Sequence, residues 1–393
     1  MNYILFDDNS RNTLLPLTFM RPVADIRIGI LTIREKWELH LNASTSTLTE
    51  VYLSEKYPII RGKENILING SVCPSPELVK KILELKPKEI LVGDDYIIAM
   101  RLSDNEFDKL DEIDATKEIN TDINHFKLNY PWEIFQFNGE SIIRDFISLT
   151  QNRTSEPISP TNNILGHESV FIEKGAKVEF STLNASEGPI YIGKNAEIME
   201  NTVIRGPFAL GESSTVKIGA KIYGPTTIGP WSKVGGEINN SVIFGYTNKA
   251  HDGFLGNSVI AEWCNLGADT NTSNLKNTYE AVRIWSYSQK TFVDTGLTFC
   301  GLIMGDHSKC GINTMFNTGS VVGINSNIFG GGYQRNFISS FKWGGPSGFN
   351  RYHLDKAINV AKIVYQRRGI EFDSVNEKLL RSVFEMTGGT RNY

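Results

Sequence analysis

The chain has 393 residues, 40% of them apolar, and a formal net charge of −4. That length allows two or three domains, each with its own core, and the small charge without any lysine-arginine block argues against nucleic acid as a partner. No apolar run approaches the roughly 20 residues that cross a bilayer, and no membrane association is expected. The opening MNYILFDDNS lacks the basic and apolar regions of a signal peptide. Four scattered cysteines (Cys73, Cys264, Cys300, Cys310) form neither a CxxC pair nor a disulfide framework, so a reducing cytoplasm is the expected setting.

The first 155 residues read as an α/β domain. YILF (3–6), NILING (65–70) and EILVG (89–93) are short strand candidates. SPELVKKILELK (75–86) has helical spacing with Ser75 as N-cap. DDNSRNTLLPLTFMRP (7–22) follows the first strand, and its Arg11 and Arg21 offer two guanidinium forks for phosphate. No glycine-rich cradle accompanies them. VGDDY (92–96) places Asp94 and Asp95 at a strand end, where carboxylates could hold Mg²⁺, although solvated loop acids are the simpler reading. YPWEIFQFNGESIIRDF (130–146) is predicted as a helix bridging the domains, and TQNRTSEPISPTNN (150–163) as a polar linker.

From 156 to 342 the chain keeps a period of six. Aliphatic residues recur at Ile192, Ile198, Ile204, Leu210, Val216, Ile222, Ile228 and Val234, with glycine directly after several of them. A period of six suits neither a helix at 3.6 nor an alternating strand at 2; it suits a parallel β-helix whose short strands each send one aliphatic side chain inward. A second register runs through Met304, Cys310, Phe316, Val322 and Ile328. Cys310 therefore reads as a buried small hydrophobe, not a nucleophile.

Between the registers the phase fails twice. Ile260 lies 26 residues beyond Val234, two off a multiple of six, so a loop is expected to leave the wall around NKAHDGFLGNSVI (248–260). A second excursion opens at TNTSNLKNTY (270–279). His251 falls in the first, and imidazole is a natural base for an attacking amine or hydroxyl near neutral pH. On spacing alone a surface or packing histidine is the simpler reading. Asn274 and Lys276 fall in the second, where they would orient a sugar hydroxyl or phosphate, or merely close a turn. His251 and His307, 56 residues apart without a carboxylate pattern, make a poor zinc site. Residues 343–393 carry two amphipathic helices, about 353–368 and 374–386, expected to cap the open end of the solenoid.

The ordered run EINNSVIFGYTNKAHDGFLGNSVIAEWCNLGADTNTSNLK (237–276), followed by DTGLTFCGLIMGDHSKCGIN (294–313), resembles the bifunctional N-acetylglucosamine-1-phosphate uridylyltransferase/glucosamine-1-phosphate acetyltransferase family, in the form found in archaea and Bacteroidetes-like bacteria. The resemblance implies a left-handed β-helix that trimerises and binds acetyl-CoA between subunits. It implies His251 as catalytic base and Asn274 as a sugar-phosphate ligand. Phe254 stands where the family has tyrosine, and Leu275 where many members have another, which alters the acceptor pocket. LLPLTFMRP (14–22) and YPWEIFQFN (130–138) are similar to elements of sugar-1-phosphate nucleotidylyltransferases, although DDNSR replaces the glycine-rich loop and Val23 replaces a lysine. The implied activity is acetyl transfer to an amino-sugar 1-phosphate, joined to nucleotidylyl transfer from UTP or dTTP with Mg²⁺. Two alternatives are a nucleotidylyltransferase whose solenoid only trimerises it, and a non-catalytic relative that binds sugar nucleotides.

Overall fold

The computed structural model of the chain describes residues 1–107 and 117–392. These form two compact units: one of Met1–Leu14, Met20–Ile26 and Leu31–Tyr130, the other of Leu15–Phe19, Arg27–Ile30 and Pro131–Tyr393.

The first unit is built on six strands: β1 (Asn2–Phe6), β2 (Ser46–Leu48), β3 (Glu64–Asn69), β4 (Glu89–Val92), β5 (Ile97–Ser103) and β6 (Lys117–Asn120), in the order β2-β1-β3-β5-β4-β6. β1 pairs in parallel with both β2 and β3, while β5 runs antiparallel to β3 and β4. Because the chain goes from β1 to one neighbour and then to the other, the order reverses at β1. Open α/β sheets bind ligands at the carboxyl ends of strands flanking such a reversal. Helices α1 (Ser10–Thr13), α2 (Ile33–Leu41), α3 (Pro76–Leu83) and α4 (Asp104–Phe107) complete it. Ser75 caps α3 as its sequence position predicts, accepting a hydrogen bond from the Leu78 amide.

In the second unit the expected helix over 130–146 is broken into α5 (Glu133–Gln136) and α6 (Asn138–Thr150). The solenoid follows as three walls of six, nine and ten strands, parallel throughout except at one end, as a left-handed β-helix. Every aliphatic of the first hexad register and every member of the second lies in one buried core. Cys310 is among them, and all four cysteines are free and buried.

At the first phase break the structure corrects the expectation of a loop. Inward residues between Val234 and Ile260 are Ile238, Ile243, Lys249 and Leu255, so the chain takes five strand steps where four were counted. Stacked partners Leu210, Ile228, Ile243 and Ile260 advance by 18, 15 and 17 residues. The corners have been shortened; nothing is looped out. A loss of four residues and a gain of two leave the same remainder on division by six, so phase alone could not tell them apart.

The second break is a true insertion. Ile260 pairs directly with Met304, and the intervening chain forms an antiparallel hairpin, Arg283–Ser286 with Thr291–Asp294. Its Trp285 stacks on Phe337 at 4.4 Å, so the excursion is packed back onto the unit. After the last coil, Lys342–Gly345 and Gly348–Arg351 pair antiparallel. Of the two expected helices, α8 (Ser374–Met386) packs at the last coil, with Phe384 against Phe341 at 4.8 Å, while α7 (Leu354–Gln366) lies against the flank of earlier coils. Tyr365 of α7 stacks on Trp263 at 3.8 Å, and Trp263 in turn on Tyr246 at 4.3 Å; burying these rings favours the flank.

Ile228 is fully buried between Leu210 and Ile243. Ile228→Ala is expected to destabilise the second unit by about 2–5 kcal/mol, read as a lower urea midpoint for loss of β-sheet circular dichroism.

Candidate active site

His251 sits on the corner between strands Asn248–Lys249 and Phe254–Gly256. It is exposed, and among the described residues its imidazole has no hydrogen-bond partner. The main chain under it is held firmly. The Asp269 amide donates to the Asp252 carbonyl at 3.0 Å, and the Phe254 amide to Asn271 Oδ1 at 2.9 Å. Lys249 Nζ donates to the carbonyl of His251 itself at 2.6 Å. Gly253 has φ +114°, and a Cβ there would lie 2.2 Å from the Thr270 carbonyl oxygen, so only glycine lets the next coil approach.

Gly256 serves the second half of the site. A Cβ on it would meet the Phe254 ring at 2.5 Å and Asn274 Nδ2 at 2.7 Å. Its bare face therefore brings Phe254 and Asn274 together, although they lie twenty positions apart in sequence. Asn274 Nδ2 donates to Asn257 Oδ1 at 2.8 Å, which fixes its amide. Lys276 turns away to the base of the hairpin insertion, donating to the Ala281 carbonyl at 2.8 Å with Glu280 at 4.0 Å. Phe254 and Asn274 thus share one surface, His251 occupies the corner leading into it, and Lys276 is bonded elsewhere.

Sequence reasoning missed Lys249. It stands in an otherwise apolar inward column, following Val216 and Val234 and preceding Leu266, and is 2% exposed. Burial pushes its amine down to about 8, against the opposing pull of Asp252, Cys310 and Asp269. The signal was present: counting five shortened steps instead of four puts position 249 inward. Because the folded chain holds this amine below its ordinary value near 10.5, the unfolded chain binds the extra proton between the two. The cost to stability is therefore complete below pH 8 and is relieved as pH rises towards 10. A Lys249→Met chain is expected to melt above the wild type at pH 7, with the gap closing between pH 8 and 10 in differential scanning calorimetry.

In the first unit a polar cluster gathers where the strand order reverses. Asp8, just after β1, accepts from Asn69 of β3 at 3.0 Å and pairs with Lys127 at 3.0 Å. Burial pushes the Asp8 carboxyl up, but hydrogen bonds from Ser10 and Asn69 and the Lys127 ammonium outweigh it and hold it below the usual range. Asp7 is raised by burial, despite bonds from Thr49 Oγ1 and the Val23 amide. Arg11 is buried and engaged by Tyr52, by Asp7 at 3.6 Å and by Glu50 at 3.8 Å; its Nη1 also donates to the Arg21 carbonyl at 3.3 Å. Arg21 is buried as well. Asp94 and Asp95 are exposed on the turn between β4 and β5. Among the described residues no three histidine, cysteine or carboxylate side chains come together to hold a metal ion.

A three-walled hexad β-helix carrying an exposed histidine corner follows an α/β unit with polar residues at its strand reversal, a two-part architecture. Comparison with known proteins agrees. Residues 3–154 match the sugar nucleotidyl transferase family model. The chain is also similar to archaeal proteins named bifunctional protein GlmU. It is 35% identical to that of Methanocaldococcus jannaschii over 23% of this chain and 21% of the relative, and 26% identical to that of Methanococcus maripaludis over 72% and 64%. It is also 30% identical to the bifunctional sugar-1-phosphate nucleotidylyltransferase/acetyltransferase of Sulfurisphaera tokodaii, over 25% of each. The matches thus span between a fifth and two thirds of the curated relatives' own length. Among solved structures, an Arabidopsis UDP-N-acetylglucosamine acyltransferase aligns with 55% of this chain and 78% of its own at 18% identity and TM-score 0.24; the β-helix is established here by strand register, not by that alignment.

Proposed function

We propose that the chain is a sugar-nucleotide biosynthesis transferase whose second unit moves an acetyl group from acetyl-CoA to an amino-sugar 1-phosphate. The observation that carries this is the exposed His251 on a rigid corner beside the Phe254–Asn274 surface, in a run shared with bifunctional relatives. The amine nitrogen attacks the thioester carbon while His251 accepts its proton. The carbon–sulfur bond then breaks, and the thiolate of coenzyme A leaves with a proton returned from the imidazolium. Asn274, fixed by Asn257, supplies an amide to orient the sugar phosphate. Phe254 lines the acceptor surface without a hydroxyl, which favours an acceptor that needs no bond there. Lys276 would contribute only if released from the Ala281 carbonyl. In this reading acetyl-CoA is co-substrate, the assembly is a homotrimer, and its buried free cysteines suit a reducing cytoplasm. No helix of the described chain is long and apolar enough to cross a membrane.

Purified protein is expected to release free thiol from acetyl-CoA in the presence of glucosamine 1-phosphate. His251→Ala should lower that rate by about 100-fold or more with the fold unchanged; an undiminished rate would remove the base assignment.

The match of residues 3–154 to the sugar nucleotidyl transferase family supports a second activity in the first unit. There a sugar-phosphate oxygen would attack the α-phosphorus of UTP or dTTP, and pyrophosphate would leave. The cluster of Asp8, Asn69 and Lys127 at the strand reversal is the place for it. Arg11 and Arg21 would act by shaping this loop, since Arg11 is already bonded within it. Asp94 and Asp95, exposed on their turn, do not by themselves form a Mg²⁺ site. Pyrophosphate release with a hexose 1-phosphate is expected, and Lys127→Met should abolish it. A folded protein that transfers neither group while still binding sugar nucleotide would instead be a non-catalytic relative; acetyl transfer without pyrophosphate release would confine catalysis to the solenoid.

A further inference from the structure

Lys249 is out of place by every rule that governs its neighbours. The inward column on its wall runs through Val216, Val234, Lys249, Leu266, Cys310 and Ile328, and five of the six are apolar or nearly so. A lysine there sacrifices stability, because an ammonium loses its hydration and recovers one bond. The bond it makes is specific. Its single acceptor among the described residues is the main-chain carbonyl of His251, at 2.6 Å. Among the described residues no other side chain hydrogen-bonds to the main chain of His251.

We infer that Lys249 is a positioning residue for His251: its buried ammonium clamps the His251–Asp252 peptide from inside the solenoid and so fixes the direction in which the exposed imidazole leaves the wall. This rests on the reading of His251 as the base of acetyl transfer, but the clamp itself is independent of that reaction. A charge-assisted bond to a carbonyl is stronger than a neutral one, so the clamp tightens when the amine is charged and slackens when it is neutral. Around the amine stand Asp252 on its own corner, Asp269 from the next coil and Cys310 from the coil beyond. The Cys310 thiol is itself raised by burial, so it does not ionise in the range where the lysine titrates, near 8. The clamp is therefore charged below about pH 8 and weakened above it. Base-catalysed acetyl transfer should then fall above pH 8, although the acceptor amine is by then more fully deprotonated.

A comparison within the molecule sharpens the assignment. Lys309 Nζ donates in the same way to the His307 carbonyl, at 2.9 Å, and burial lowers its amine to about 8 too. His307, however, is buried beside Trp263 and Tyr365, so that second bond holds a packing residue and supplies a control.

His251–Asp252 is the only His-Asp step in the chain. Full-length protein labelled with ¹³C-carbonyl histidine and ¹⁵N-aspartate therefore gives one cross-peak in a carbon-detected carbonyl–nitrogen spectrum, reporting the clamped peptide. In wild type its carbonyl shift is expected to titrate between pH 7 and 10 with a midpoint near 8. Lys249→Met should abolish that transition while keeping a melting temperature at or above the wild type's, and Lys309→Met should leave it intact. A flat wild-type titration, or one that survives in Lys249→Met, would overturn the inference. In the thiol-release assay, Lys249→Met should lower kcat at least tenfold with KM for the acceptor little changed, and should remove the loss of rate above pH 8. If the wild type shows no acetyl transfer at all, the functional reading fails while the spectrum still decides the clamp.

Discussion

Parallel hydrogen bonding between successive coils is the constraint from which the second unit follows. Once Leu210 is paired with Ile228 and Val216 with Val234, each inward side chain must stand directly over one from the preceding coil. Strands cannot gain or lose a residue without turning their inward side chains out, so length variation is forced into the corners. The coils around His251 show the result: corners contract, strands stay in register, and the inward columns continue, with Lys249 and the buried Thr272 as polar members. A catalytic candidate on such a corner inherits the rigidity of the stack below it.

That rigidity explains how two residues far apart in sequence come to share a surface. Phe254 and Asn274 lie on neighbouring coils, and the missing side chain of Gly256 lets them close over the same spot. The first unit organises its polar groups differently. There the carboxyl ends of β1 and β3 deliver Asp8 and Asn69 to one place, and Lys127 comes from a segment beyond β6 to neutralise the acid. Solenoid and sheet thus reach a polar site by separate routes, one by stacking and one by strand reversal.

Much of this architecture was legible in the residues. Ile192 through Val234 at strict intervals of six announced the β-helix, and Met304 through Ile328 announced its resumption, because one inward residue per wall is a packing requirement that composition must obey. The strands at 65–70 and 89–93 and the Ser75 cap were equally plain. What misled was arithmetic: a remainder on division by six records phase but not direction, so shortened corners read as an inserted loop and Lys249 went unnoticed. The pair of Phe254 and Asn274 depended on a glycine contact between coils, which no spacing reveals. Arg11 looked like a free phosphate ligand since its partners Tyr52 and Glu50 lie some forty residues away in the chain.

A stack of parallel coils is in principle endless, since its last coil offers the same unpaired edge that every earlier coil used to bind its successor. Here the ten-stranded wall ends differently. Lys342–Gly345 is met by Gly348–Arg351 running the other way, and the reversed strand presents its hydrogen-bonding groups out of step with a following coil. On this wall a further parallel coil would have to pair with a strand that runs against the stack. The rule that seats each coil on the one before it is thereby broken by the chain's own hairpin, and only on this one of the three walls.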